Sequence, residues 1–272
     1  MRYYIVDAFT DKVFYGNQAG VCLLEKELPD ELMQSIAAEN NLSETAFVIK
    51  KEGAYHLRWF TPDVEIDLCG HATLATAAVI LTEVEPDLQS ISFHTMSGVL
   101  TVEKNGDWFT MYFPSRSPKS VEIPKLLEKA LGCKVLECTL SRDLVALVES
   151  EEIVANLKPD IELIKQINGD ISFGLVVTAK GNTCDFVSRF FAPNAGIVED
   201  PVTGSSHCTL IPYWYDKLQK IDMEARQLSK RGGTLQCKYL GEKVSISGQA
   251  KVFMCGEIEL NFGEDIFLLN RG

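Results

Sequence analysis

One glutamate stands where a proton-transferring carboxylate would be expected. Glu44 follows the polar residues Asn41 and Ser43 and precedes the apolar segment 46–49. A carboxylate at the mouth of a buried strand is partly removed from water, and such a group can act as a general acid and base. The alternative is an exposed loop glutamate, because glutamate side chains are mostly solvated. The sequence therefore offers Glu44 as a candidate acid/base whose surroundings decide its role.

Two more titratable residues stand next to glycines that open apolar helical segments. His71 follows Gly70, and Asp200 lies four residues before Gly204. At a helix N-terminus the dipole disfavours the imidazolium, so we expect His71 to be a neutral donor or acceptor. The alternatives are a structural histidine and, for Asp200, an aspartate that caps a turn or helix.

The two helix starts are candidate sites for an anionic group. Unpaired N–H groups and the positive end of the dipole favour a carboxylate at Gly70 and at Gly204 with Ser205. Asn17 follows Gly16 and either lines the same pocket or caps a turn. Arg231, before two glycines, supplies a cation or belongs to a turn.

No motif predicts a metal or a cofactor. The eight cysteines include no CxxC pair, which argues against a zinc ribbon, and His56 and His94 have no partners at metal-ligand spacing. The glycine-rich nucleotide motifs and the nucleophile elbow are also missing in their required context. No motif therefore points to a metal or a cofactor, and the family resemblance described below implies that neither is used.

Composition limits the partners. The net charge of −12 and the pI near 4.9 argue against nucleic acid, whereas a local pocket can still bind a small anion. The apolar stretch 72–81 is too short to span a membrane, and the first residues lack the apolar region of a secretion signal. These features predict a cytoplasmic protein without a membrane partner.

Short β-type segments dominate the chain and are interrupted by helical patterns. The predicted helices cover about 29–41, 71–82, 124–131, 161–168 and 205–218. The helix over 71–82 is apolar nearly all round, and such a helix lies inside a protein. We expect it to be enclosed by a curved sheet.

The chain repeats itself. The pattern R-[WF]-F-[TA]-P begins at Arg58 and again at Arg189, and each copy is followed by a glycine that opens a helix and by a later glycine before a strand. An ordered series of this kind indicates duplication. The predicted fold is α+β, with two pseudo-symmetric lobes, 1–116 and 117–272, each a curved mixed sheet wrapped around a central apolar helix. A C-terminal strand could cross back to the first lobe.

The chain resembles the PhzF-like family of phenazine biosynthesis-like isomerases, within the diaminopimelate-epimerase-like fold. The resemblance is collinear over nearly the whole chain and includes N-L-S-E-T-A-F at 41–47, D-L-C-G-H-A-T at 67–73 and E-D-P-V-T-G-S at 199–205. Further matching segments are 7–10, 14–17, 206–208, 212–214 and 227–233.

This resemblance implies a cofactor-independent isomerase, commonly a homodimer, that moves a proton on a small and possibly cyclic carboxylate. The family's catalytic glutamate falls on Glu44. Its supporting positions fall on Gly70, His71, Asp200 and Ser205. The resemblance implies that His71 and Asp200 are catalytic, with Asp200 as a second acid/base or as an orienting partner for a substrate hydroxyl or amine, and that Gly70 and Ser205 bind the substrate.

Two other functions stay open. Diaminopimelate epimerases use one thiol from each half; Cys69 matches the first, whereas the second position falls on Pro201, with Cys208 further along. This departure argues against an amino-acid epimerase or racemase with two thiols. The other alternative is a non-catalytic small-ligand-binding protein on the same fold.

Overall fold

The computed structural model describes residues 1–260, so the predicted end of the second lobe, 261–272, lies outside the described residues. The first half contains strands β1 to β8 and two helices: β1 Arg2–Ala8, β2 Asn17–Leu24, α1 Asp30–Asn40, β3 Glu44–Lys51, β4 Ala54–Phe60, β5 Glu65–Ile66, α2 Gly70–Val79, β6 Ser90–Thr95, β7 Gly98–Asn105 and β8 Trp108–Pro114.

The second half contains ten strands and four helices within the described residues. In chain order these are β9 Lys119–Val121, α3 Leu127–Leu131, β10 Glu137–Leu140, β11 Leu144–Leu147, α4 Glu151–Asn156, α5 Ile161–Ile171, β12 Leu175–Lys180, β13 Phe186–Ala192, β14 Ile197–Asp200, α6 Gly204–Leu218, β15 Asp222–Gln227, β16 Gly233–Tyr239, β17 Lys243–Gly248 and β18 Ala250–Glu257.

The pairing of strands repeats from one half to the other. In the first half, β1–β2 is antiparallel, β2–β3 parallel, β3–β4 antiparallel, β4–β6 parallel, and β6–β7–β8 antiparallel. The series β10–β11, β11–β12, β12–β13, β13–β15 and β15–β16–β17 has the same order of directions. This repetition is the structural counterpart of the sequence repeat.

The halves are joined by equivalent strands. β8 pairs antiparallel with β17, so the last strands of the two series meet. β18 then crosses back to pair with β1, and β9 crosses forward to pair with β10. Pairing between the halves thus holds two helix-filled sheets side by side. The boundaries 1–116 and 117–272 stay a prediction.

One helix lies inside each sheet. In α2 every residue from His71 to Val79 is buried, and most of α6 up to Trp214 is buried as well. Alanines and threonines let the strands approach α2 closely, while Trp59 and Phe93 fill the space around it. The predicted fold class, with a mixed sheet around a central apolar helix in each half, is confirmed.

The structure also differs from the expected elements in detail. The sequence predicts a strand over residues 21–24, whereas β2 begins at Asn17 because its first residues pair with the end of β1. Pro29 precedes α1 as its N-cap, and Asn41 ends that helix in the left-handed conformation. The helix α4 and the strands β5, β9, β10, β14 and β15 were not predicted. No helix within residues 1–260 is long and apolar enough to span a bilayer.

Candidate functional site

Glu44 is the first residue of β3 and lies at the sheet edge facing α2. Its side chain is 12% exposed, so it is not the exposed loop glutamate of the alternative interpretation. Oε2 of Glu44 lies 2.9 Å from Nε2 of His71, at ion-pair distance. Both atoms are buried, and neither has a hydrogen-bond partner within residues 1–260. The contact is therefore a close approach of two groups that can carry opposite charges, and not an aligned hydrogen bond.

His71, the second residue of α2, stands between Glu44 and Cys69. Its Nδ1 lies 3.5 Å from the Cys69 Sγ, on the opposite side of the ring from Glu44. Burial lowers the pKa of His71, but Cys69 and Glu44 raise it by more, so the pKa lies well above its ordinary value. This direction is opposite to the effect of the helix dipole alone, because Cys69 and Glu44 both lie beside the ring. The neutral imidazole stays a prediction.

Glu44, Cys69 and His71 together offer three potential metal ligands within 4.8 Å of one another. The imidazole ring, however, turns Nδ1 to the thiol and Nε2 to the carboxylate. A metal ion binds one ring nitrogen of a histidine, so the third residue would face the wrong nitrogen. The arrangement suits proton transfer better than chelation.

Asn17 connects the two halves of the protein at this point. The residue is fully buried at the start of β2, and its Nδ2 donates to Asp200 Oδ1 at 2.8 Å and to the Val202 carbonyl at 3.0 Å. The same nitrogen lies 3.3 Å from His71 Nδ1. Its Oδ1 accepts a long hydrogen bond from the Ser43 hydroxyl. Asn17 therefore holds His71 and Asp200 in one polar cluster.

Asp200 ends β14 and is held on several sides. Its Oδ2 accepts from the Thr203 hydroxyl, and its backbone carbonyl accepts from Gln227 Nε2 at 2.7 Å. Burial raises the pKa of Asp200 to about 6, although His71 and the hydrogen bonds from Thr203 and Asn17 lower it. This carboxyl group changes its charge within the range in which many enzymes work.

Within residues 1–260, Ser205 forms its side-chain hydrogen bond with a different partner from those of this cluster. Ser205 is the second residue of α6, after Gly204, and its Oγ accepts from Arg142 Nη2 at 3.0 Å. No contact joins Ser205 to Glu44 or His71 within residues 1–260. The helix starts at Gly70 and Gly204 both lack a side-chain cap, which leaves first-turn N–H groups available for an anion.

The repeated topology corrects one correspondence between the halves. Cys69 directly precedes α2, and the residue directly before α6 is Thr203 rather than Pro201. Thr203 is not a thiol, and Cys208 lies buried within α6. The structural match for the second epimerase thiol is thus a threonine that bonds Asp200.

Glu44 has no counterpart in the second half. Trp59 and Phe190 occupy equivalent places in the sequence repeat and pair with Ala46 and Val176. Two residues earlier on each partner strand stand Glu44 and Gly174. A Cβ at Gly174 would lie 2.5 Å from the Phe190 ring, so a side chain does not fit there. The second half therefore has no carboxylate at the position equivalent to Glu44.

The cation suggested by the sequence is engaged elsewhere. Arg231 donates to Asp7 Oδ1 at 2.7 Å, and to the backbone carbonyls of Tyr15 and Gly16 at 2.8 Å. Its guanidinium fixes the loop that leads to Asn17. Arg231 therefore stabilises the loop before Asn17 and is engaged there by Asp7.

Several residues that contact the predicted site residues were not themselves predicted from the sequence. Thr203, Gln227 and Arg142 contact the predicted site residues but stand in unremarkable segments. Gln227 lies in the family-like segment 227–233, which was the one signal available for it. Nothing in the sequence distinguishes Arg142 from a surface arginine.

Comparisons with known proteins agree with this fold. A family model described as PhzC-PhzF, phenazine biosynthesis-like protein, matches residues 6–256. An uncharacterized isomerase of Pseudomonas aeruginosa is 47% identical over 255 residues, 94% of this chain and 97% of that protein. A human phenazine biosynthesis-like domain-containing protein is 39% identical, covering 94% of this chain and 98% of its own length.

Solved structures extend the comparison. A PhzF-family protein of Enterococcus faecalis has a TM-score of 0.93 at 48% identity, covering 95% of this chain and 99% of that one. A probable proline racemase from Agrobacterium radiobacter has a TM-score of 0.63 at 10% identity, covering 97% and 94%, and shares the fold. The chain belongs to the phenazine biosynthesis-like PhzC-PhzF family and is an isomerase.

Proposed function

We propose that this protein shifts a proton between carbon atoms of a small, possibly cyclic carboxylate, with Glu44 as the general acid and base. Glu44 would take a proton from a carbon next to an unsaturated or carboxylated group and return it to another carbon. The reaction changes no oxidation state overall, so the proposal includes no metal and no cofactor. The observation that carries it is the buried contact between Glu44 and His71.

The surroundings of Glu44 suit a group that must hold and release one proton. The carboxylate is nearly buried, and its Oε2 faces the His71 Nε2 at 2.9 Å. With the proton on His71, the imidazolium attracts the ionised carboxylate across a short distance with little water; with the proton on Glu44, the acid faces a neutral imidazole that can accept a hydrogen bond. His71 is thereby assigned the role of stabilising Glu44 in each protonation state.

Two further residues complete the proposed site: Asn17 from the first half and Asp200 from the second half. Asn17 donates to Asp200, and the Asp200 carboxyl group can bind a hydroxyl or amino group of the substrate once it is ionised. The substrate carboxylate is assigned to the uncapped helix starts at Gly70 and Gly204, with Ser205 as a hydroxyl donor.

Because Glu44 has no counterpart at Gly174, the proposal is a one-base mechanism. A single base removes and returns the proton on the same face of the substrate. A symmetric racemase needs groups on two opposite faces, and Cys69 with Thr203 does not provide them.

Solvent exchange tests this proposal. Unsaturated cyclic and acyclic carboxylates are incubated with the protein in D₂O, and proton NMR follows the loss of C–H signals. Wild-type protein is expected to exchange a carbon-bound proton of at least one compound. Glu44→Gln should lower that rate by at least about 100-fold, because the amide cannot accept the proton. Glu39→Gln, the same change at an exposed position of α1, is the matched control.

Two results would contradict the assignment of Glu44. One is exchange at the wild-type rate in Glu44→Gln, and the other is an equal loss in Glu39→Gln. Binding of the exchanging compound should persist in Glu44→Gln, since the substitution keeps the volume of the side chain.

An epimerase or racemase is the second candidate, favoured by the thiol of Cys69 beside His71. Burial raises the pKa of Cys69, with Glu44 adding to the rise and His71 opposing it, so the nucleophilic thiolate is disfavoured. Alkylation with iodoacetamide is expected to modify the exposed Cys255 before the buried Cys69 and to leave exchange unchanged. Loss of exchange on alkylation, prevented by Cys69→Ser, would favour the epimerase.

The proposal also includes a homodimer in the cytoplasm, as the family resemblance implies. Sedimentation equilibrium of the purified protein measures the oligomeric state, and fractionation of cells measures the location. A non-catalytic binding protein would bind small carboxylates without any exchange that depends on Glu44.

A further inference from the structure

A cluster of two arginines and one buried aspartate lies beside the start of α6. Arg142 stands in the turn before β11, and its Nε and Nη2 donate to the carboxylate of Asp143 at 2.9 to 3.2 Å. The Asp143 side chain is fully buried, whereas that of Arg142 is 33% exposed. The aspartate therefore fixes one edge of the guanidinium and leaves the other edge accessible.

The position of Arg142 is held by more than this ion pair. The Phe173 N–H donates to the Arg142 carbonyl at 3.1 Å, and the Phe173 ring lies 4.7 Å from the guanidinium carbon. The backbone just after Arg142 is also fixed, because the Leu144 N–H donates to the Gly174 carbonyl. In the described part of the chain, Arg142 Nη1 has no acceptor. A guanidinium held in this way is preorganised for an anion.

Arg116 adds a second, incompletely satisfied cation. Its Nη1 is buried and has no hydrogen-bond partner, and Arg116 forms no ion pair within residues 1–260. The Arg116 N–H donates to the Cys208 carbonyl in α6 at 2.9 Å, which ties the residue to this helix. A buried donor without an acceptor is unfavourable, so the cluster favours an additional negatively charged acceptor.

Both guanidiniums act on the same face of α6. Burial raises the pKa of the Cys208 thiol to about 11, and the charges of Arg116 and Arg142 oppose that rise. Burial raises the pKa of Asp143 as well, and the charges of Arg142 and Arg116 oppose that rise. Two cations against one carboxylate leave one net positive charge in the cluster.

We propose that Arg142 and Arg116 bind the carboxylate group of the substrate next to Ser205. This inference rests on the proposed function and assigns the anion to side chains of the second half. Because Ser205 Oγ accepts from Arg142 Nη2, its own hydroxyl proton stays free to donate to the same carboxylate. One net positive charge matches one carboxylate group.

The repeated topology supports this placement. Asn17 opens β2 and reaches His71, the second residue of α2; Arg142 lies two residues before β11 and reaches Ser205, the second residue of α6. Corresponding regions of the two halves thus carry different chemistry. The first half presents Glu44, and the second presents the two cations.

A pair of neutral and anionic ligands tests the inference. Benzoate and benzamide have similar shape but differ in charge, and isothermal titration calorimetry at about pH 8 measures their affinities for the full-length protein. Wild-type protein is expected to prefer benzoate. Arg142→Met and Arg116→Met should each weaken benzoate binding by at least about tenfold and leave benzamide binding unchanged. Arg226→Met removes an exposed arginine and is the matched control.

Loss of folding in Arg142→Met would leave the test intact, because the double variant Arg142→Met/Asp143→Asn removes both charges of the buried pair. Circular dichroism checks the fold of each variant. Equal affinity of the wild type for benzoate and benzamide overturns the inference. An unchanged preference for benzoate in Arg116→Met together with either Arg142 variant overturns it as well.

The failure of this inference is distinguishable from the failure of the proposed function. Glu44→Gln should keep the preference for benzoate while losing deuterium exchange. Exchange that survives in Glu44→Gln contradicts the acid/base assignment and leaves the anion site standing. An unchanged preference for benzoate in the arginine variants, together with exchange that depends on Glu44, contradicts the anion site and leaves the acid/base assignment standing.

Discussion

The side-chain nitrogen of Asn17 lies 2.8 Å from Oδ1 of Asp200, and this hydrogen bond joins the first residue of β2 to the last residue of β14. The same nitrogen donates to the Val202 carbonyl and approaches His71. One buried amide therefore couples the side chains of both halves. The arrangement predicts that changes at Asn17 affect stability as well as activity.

Replacing Asn17 by alanine is expected to destabilise the protein by about 2 kcal/mol, because Asp200 and the Val202 carbonyl lose a buried donor. Urea unfolding followed by fluorescence measures the change. Asn182→Ala, at an exposed position, serves as the control and should change stability little. Equal stability of the two variants would contradict the bridging role of Asn17.

Replacing His71 by glutamine should lower the deuterium exchange rate by about 100-fold, because Glu44 loses its charge-stabilising partner. The variant should also show a changed dependence of the rate on pH, which a purely structural defect would not produce. His94→Gln changes an exposed histidine and is expected to leave the rate unaltered. A wild-type rate and pH profile in His71→Gln would refute this role.

Asp200 is expected to make stability depend on pH. Its pKa is raised to about 6 in the folded protein, so between the ordinary value of 3.8 and that value the folded state binds more protons than the unfolded state. Stability contributed by this group is therefore present at low pH and is lost as the pH rises through about 6.

The variant Asp200→Asn removes this dependence, since asparagine carries no charge. The free energy of unfolding of Asp200→Asn, minus that of the wild type, should be roughly 2 kcal/mol larger at about pH 8 than at about pH 4. Denaturation curves at several pH values measure the difference, with the exposed Asp87→Asn as the control. A difference that is constant over this range would exclude a raised pKa at Asp200.

Arg231 is expected to be important for stability without touching the substrate. Asp7 is 1% exposed, and removing its partner by Arg231→Met leaves a buried charge, which should cost about 3 kcal/mol. Arg226→Met breaks the exposed pair with Glu224 and should cost less than about 0.5 kcal/mol.

Thermal unfolding measures both arginine variants. The double variant Arg231→Met/Asp7→Asn should recover part of the loss, because the isolated charge is then absent. No recovery in the double variant would show that the guanidinium acts mainly through the carbonyls of Tyr15 and Gly16.

Much of the fold could be read from local patterns. The apolar helix over 71–82, the glycine before each central helix and the repeat at Arg58 and Arg189 together predicted two halves with one enclosed helix each. These features are local or periodic, so the sequence displays them directly. The pairing of β18 with β1 and of β9 with β10 joins strands that are distant along the chain. From the sequence, such a crossing was suggested for a C-terminal strand alone.

The site was predictable where a segment resembles a family and unpredictable where a contact is made between distant segments. The sequence predicts Glu44, His71, Asp200 and Asn17 as site residues, and the structure brings them into one cluster. Ser205 stays a predicted substrate-binding residue, and its contact with Arg142 was not predicted. Local sequence cannot reveal such a partner, because it is 63 residues away along the chain.

The sequence by itself determined the composition, the repeated elements and the residue types able to transfer a proton. Only the tertiary structure decided that Glu44 is shielded, that Gly174 leaves no room for a second acid and that Arg231 is engaged by Asp7 while Arg142 keeps a free edge. The physical reason is that burial, charge pairing and steric exclusion are properties of neighbours in space, and folding brings those neighbours from distant parts of the chain.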